Sequence, residues 1–263
     1  DYTRVMNLNS DSLSQTVYNC RDMGGYISSF GGVRTNQNLI FRGSELNLTT
    51  FSYSGSHSIN VDDTVRKKNR EISKIAVELD FRKYNAIDST NSAGKSALDA
   101  EDFPVSYTRV AFQSDRNFVE DPDGAIDPSH DEVKGDAIKT VMDLFSNADQ
   151  KHVYFHCWGG ADRTGAMGFF LNGLLGVSLT DLYIDFELTT QNNSLRSHLK
   201  RNGDYDFPDF LEACKEDPHY SEDKSIAQFC YDWFLDQGVE ASTLEHLREI
   251  MIPGYKTGDE QTF

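Results

Sequence analysis

Residues 164–175 read TGAMGFFLNGLL, a helix-length run that is apolar on almost every face. A short glycine-containing turn separates it from His152–Phe155 (HVYF), a strand-like segment. A helix without a polar face has to be buried. A buried strand feeding straight into it is the kind of junction around which α/β layers are built. Gly176 supplies the stop.

The rest of the chain is read around that junction. Strands are expected at Leu39-Ile40-Phe41, at Ile75–Phe81 (IAVELDF, with Asp80 and Arg82 at its end) and at Val105–Phe112. Val17–Tyr26 ends in a double glycine, and Gly31-Gly32 marks a turn. A polar helix is expected from about Asp62 to Ser73. Another follows from about Asp131, with Val133, Ala137, Ile138, Val141, Leu144 and Phe145 at helical spacing. Ser178-x-x-Asp181 opens a helix reaching about Thr190, and Ile226, Phe229, Cys230, Trp233 and Phe234 mark a further one. Ser242-x-x-Glu245 is read as the cap of the last. Residues 52–60, 85–102 and 113–130 read as loops. The alternation predicts an α/β fold: a central, mostly parallel sheet flanked by helices, with a β-rich N-terminal part and extra C-terminal helices. With 263 residues, 38% of them hydrophobic, and no repeat or long linker, one domain is expected. Its parts are 1–60, 61–190 as the core, and 191–263.

In sheets of this kind ligands bind where strands end and helices begin. At that place the chain carries His156-Cys157-Trp158-Gly159-Gly160-Ala161-Asp162-Arg163-Thr164-Gly165. Gly159 and Gly160 let successive N–H groups, Ala161's included, curl toward one point, and the helix N-terminus adds partial positive charge. Together they form an anion cradle. Arg163 brings a planar fork for two phosphate oxygens. Cys157 at the start of the cradle is expected to be a thiolate nucleophile, aimed at a phosphoryl group. Thr164 would donate a hydrogen bond to its sulfur, and His156 would hold the loop through backbone carbonyls. Trp158 forms an aromatic wall, either stacking on a substrate ring or packing.

Charge and cysteine usage narrow the partners. A formal net charge of −17 suits neither nucleic acid nor an anionic bilayer, and no apolar run is long enough to span a membrane. An anionic substrate therefore has to be drawn by a local site against the global field. Cys20, Cys157, Cys214 and Cys230 match no zinc pattern, so no metal or cofactor is expected, and packed thiols are preferred to a Cys214–Cys230 bridge. Asp121, Asp123 and Asp127 do not fit a calcium loop and read as a solvated acidic stretch. The acidity and the first residue, Asp1, lean toward an exported protein; oligomeric state is not legible.

The loop H-C-x-x-G-x-D-R-T-G resembles the signature of the protein tyrosine phosphatase superfamily, in the version found in bacterial tyrosine and dual-specificity phosphatases. Asn19–Tyr26 (NCRDMGGY), Phe41-Arg42-Gly43-Ser44 and Leu79-Asp80-Phe81-Arg82 resemble further blocks of that family, so the similarity spans roughly 17 to 190. It implies hydrolysis of phosphotyrosine, or of a broader range of phosphomonoesters, through a phosphocysteine intermediate. Relatives acting on phosphoinositides carry Lys where this chain has Ala161, which weighs against an inositol phosphate substrate. A pseudophosphatase is disfavoured because Cys157, Arg163 and Thr164 are all present. The general acid stays open at this level. Asp162 lies in the loop and is the family's usual acid; Asp115 follows a strand where the wider superfamily carries an acid-bearing loop; Asp80 ends another strand.

Overall fold

The computed structural model describes residues 17, 19–46, 61–82, 94–112, 137–189 and 207–260. The expected loops at 52–60 and 113–130, the first half of the one at 85–102, and the start of the helix expected from Asp131 lie outside these. So does Asp115.

A five-stranded sheet has the order β1-β2-β5-β3-β4, where β1 is Arg21–Asp22, β2 Ile40–Gly43, β3 Ile75–Asp80, β4 Ser106–Arg109 and β5 His152–His156. β2, β5, β3 and β4 run parallel, and β1 pairs antiparallel on the edge. The register sets Gly43 and Asp80 on either side of His156, and Arg109 level with Asp80. Three central strands thus end at one height, which is where the cysteine loop begins.

The side-chain alternation of β5 explains why the sheet is covered on both faces. Val153 and Phe155 join Val77 and Leu79 in the larger core, while Tyr154 faces the other way, with Phe41, Val105 and Val65. Val65 comes from α1, Asp63–Lys68, which Asp62 caps by accepting from Val65 N and which continues as a π-helical turn to Ser73. The larger core is closed by α2 (Ala137–Phe145), α3 (Asp162–Leu174), α4 (Leu179–Glu187), α5 (Phe207–Glu216), α6 (Ile226–Asp236) and α7 (Ala241–Met251). α3 is the all-apolar helix. Every residue of it from Thr164 onward is buried, and Phe170 stacks on Trp233 of α6 at 4.0 Å between centroids.

One helix expectation needs correction, and one of the C-terminal helices lies where no pattern was read. Ser242 does not cap α7: Glu240, in extended backbone, occupies that place, and its carbonyl accepts from Thr243 and Leu244. Ser242 therefore sits inside the first turn. α5 was not anticipated, although Phe207, Phe210, Leu211 and Cys214 fall at helical spacing; Pro208 in its first turn and the acidic, polar residues around it mask the pattern.

Candidate active site

Cys157 follows directly on β5 and is buried, at 2% exposure. The next residues turn tightly, and α3 starts at Asp162 without a side-chain cap on Ala161. The turn needs Gly160. It holds φ +69°, and a Cβ there would lie 2.2 Å from the carbonyl oxygen of Gly43.

Each carbonyl of the loop is held from outside. His156 Nδ1 donates to Cys157 O at 2.7 Å, and the Glu45 amide donates to Trp158 O at 3.1 Å. Asn19 Nδ2 reaches Gly159 O at 3.1 Å and Gly160 O at 3.0 Å. Arg42 Nη2 takes Gly160 O at 2.9 Å and reaches Ala161 O at 3.5 Å. In a planar trans peptide a carbonyl and the N–H that follows it point in opposite directions. Pinning these oxygens outward therefore aims the N–H groups of Trp158, Gly159, Gly160, Ala161 and Asp162 to the other side, which is what an anion cradle requires.

Arg163 enters from the first turn of α3. Its Nη1 donates to Phe81 O and Phe112 O, each at 3.3 Å, so the guanidinium spans the ends of β3 and β4. Asp162 and Trp158 are half-buried. Thr164 is fully buried, and its hydroxyl has no hydrogen-bond partner among the described residues, Cys157 Sγ included. The hydrogen bond expected from Thr164 to that sulfur is thus not made.

Beneath the loop lies a layer of buried charge. Cys157 O can only accept, so His156 Nδ1 carries a proton. His156 Nε2 then meets Glu78 Oε1 at 2.9 Å, a contact that requires a further proton between the two. Asp80, with no exposed surface, accepts from Arg82 Nη2 at 2.7 Å, Tyr107 Oη at 2.5 Å and Arg109 Nη2 at 3.0 Å. Arg82 is also paired with the buried carboxylate of Glu45. Asp80 is thus a counterion locked under the strand ends, not a group positioned to deliver a proton to a substrate.

A second charged group backs the loop from the N-terminal side. Asp185 of α4 accepts from Arg21 Nε at 2.8 Å and from Arg42 Nη1 at 2.6 Å. Burial alone would raise the Asp185 carboxyl, but the two guanidiniums overcome it and the net shift is downward. Burial, then Arg21, lowers Arg42 to about 10 against the pull of Asp185. Sequence reasoning singled out the blocks containing Asn19, Arg21 and Arg42 but gave them no task. Only Arg42, a charge inside the apolar strand β2, carried a signal; Asn19 in its turn, Arg21 in the two-residue β1 and Asp185 on an amphipathic helix carried none.

All four cysteines are free and buried. Burial pushes the Cys20 thiol up to about 12 and also raises Cys214 and Cys230. No group of His, Cys, Asp and Glu able to hold a metal ion occurs among the described residues, and none of their helices is long and apolar enough to cross a membrane.

A family profile described as Tyrosine phosphatase family matches residues 13–252. Comparison with curated proteins finds no match.

Proposed function

Because this chain belongs to the tyrosine phosphatase family, and so is a phosphatase acting on phosphorylated substrates, we propose that it hydrolyses phosphotyrosine in proteins through a phosphocysteine intermediate on Cys157. The observation that carries the proposal is the loop after β5. Its carbonyls from Cys157 to Ala161 are pinned outward around a buried cysteine, and an arginine is anchored at the adjacent strand ends.

The Cys157 sulfur attacks phosphorus as its thiolate, forming an S–P bond while the bond to the tyrosyl oxygen breaks. Inward N–H groups and the Arg163 fork take up the charge on the non-bridging oxygens. Asp162, at the start of α3, gives its proton to the leaving oxygen. As a carboxylate it then takes a proton from water, whose oxygen attacks phosphorus. The S–P bond breaks, and the sulfur departs into the cradle, where the inward N–H groups face its negative charge. Phosphate leaves and the thiolate is restored. Trp158 offers a wall for the substrate ring. No metal or cofactor takes part.

Cys157→Ser tests the scheme. Turnover should vanish while vanadate and phosphate still bind, because cradle and arginine survive the change. A serine variant retaining more than a few per cent of the wild-type rate would refute the covalent mechanism. Wild-type activity should also survive EDTA. Assayed on one preparation, a phosphotyrosine peptide should be hydrolysed faster than a phosphoserine peptide or inositol phosphates. The opposite order would assign the site to another phosphomonoester class.

A further inference from the structure

Asn19, Arg42 and Asp185 lie behind the cradle, on the side away from any substrate. Asn19 holds φ +55°, a conformation Asn tolerates better than most side chains. Its Oδ1 accepts from Arg21 Nη1 at 2.6 Å, and this fixes the amide so that Nδ2 faces Gly159 O, Gly160 O and, at 3.1 Å, Thr189 Oγ1. Arg21 is itself held by Asp185, through Oδ1 and through the backbone oxygen at 2.6 Å. Arg42 lies against α3 where Gly168 leaves room for it: a Cβ there would come within 3.0 Å of Nη1. With Nη1 tied to Asp185, the other end of its guanidinium is delivered to Gly160 O. One carboxylate on α4 therefore orients both donors that turn the middle of the loop.

We propose that Asn19, Arg42 and Asp185 are positioning residues that set the anion affinity of the cradle by holding the Gly159–Ala161 carbonyls outward. The proposal rests on Cys157 and its loop being the phosphate site. Releasing these carbonyls lets the Gly160 and Ala161 peptides rotate, so that oxygens rather than N–H groups face the phosphate. The loss then appears in binding of every tetrahedral anion, not only in turnover of one substrate.

The test compares inactivation by iodoacetate, an anion that has to enter the cradle, with inactivation by neutral iodoacetamide. The ratio reports anion attraction separately from thiol reactivity. Inhibition by inorganic phosphate is measured alongside. The variants are Asn19→Gly, which tolerates the same φ and adds no charge, and Asp185→Asn, which keeps the shape and removes the shared counterion. Leu244→Ala on α7, buried and not among the residues that hold the loop carbonyls, controls for lost stability. In both test variants the ratio and the phosphate affinity should fall about ten-fold or more, the equivalent of about 1.4 kcal/mol, and Leu244→Ala should keep both. Should Asp185→Asn not fold, Asn19→Gly still decides. A ratio in Asn19→Gly within two-fold of wild type, on a wild type that prefers iodoacetate, overturns the inference alone. A wild type with no such preference, or labelled elsewhere than Cys157, overturns the site and the inference with it.

Discussion

At the residue scale the central question is which carboxylate moves the proton, and structure narrows what sequence left open. Asp80 is removed from contention because two arginines and a tyrosine already hold it. Asp115 lies outside the described residues, and Asp162 is half-buried in the first turn of α3. Removing a general acid costs about 10²–10⁴-fold in rate. The loss shrinks when the leaving group is too acidic to need a proton. Asp162→Asn is therefore expected to be crippled on phenyl phosphate, much less impaired on an activated aryl phosphate, and to lose the basic limb of its pH–rate profile. Asp115→Asn should be milder and indifferent to the leaving group; the reverse pattern makes Asp115 the acid. The cysteine, the arginine and the glycines were legible because their chemistry is compressed into one contiguous stretch. Asn19, Glu45, Glu78 and Asp185 were not, because each acts on the loop from a distant element and only the fold brings them together.

At the element scale, strands and helices carried by a strong apolar pattern fell where expected: β2, β3, β5, the buried α3 and the Ser178 cap, whose hydroxyl accepts from Asp181 N. Patterns diluted by polar residues did not, as α5 and the start of α7 illustrate. A buried turn was the least legible element. Asp22, at the end of β1, accepts from the amides of Gly24 at 2.8 Å and Asn38 at 2.6 Å, tying the long turn back to the strand that starts it. Burial outweighs these bonds and raises its carboxyl to about 6 from an ordinary 3.8. The folded state thus binds that proton more tightly than the unfolded chain. The resulting stability is fully present below about pH 4 and is lost as pH rises through 6. Between pH 7 and 5, urea denaturation should move in favour of the wild type over Asp22→Asn by about 1 kcal/mol. An unchanged difference between the two proteins would mean that Asp22 is ionised throughout.

At the scale of the whole molecule, a net charge of −17 has to admit an anion. A field of this sign slows the encounter with a phosphate dianion, whereas the cradle acts only at contact. The two are separable because salt screens distant, exposed charges far more than buried ones; at about 1 M ionic strength the screening length is about 3 Å. Two phosphotyrosine peptides, one flanked by lysines and one by glutamates, should therefore differ in kcat/KM at low salt, with the basic peptide favoured. The advantage should shrink steadily as sodium chloride is added, and most of the change should come from the acidic peptide speeding up. The cradle makes the same contacts with the phosphoryl group in both peptides, so kcat at saturation should differ little between them. A preference that persists unchanged at high salt would instead point to specific pairing of the flanking residues with side chains at the mouth, and the global field would play no part in choosing the substrate.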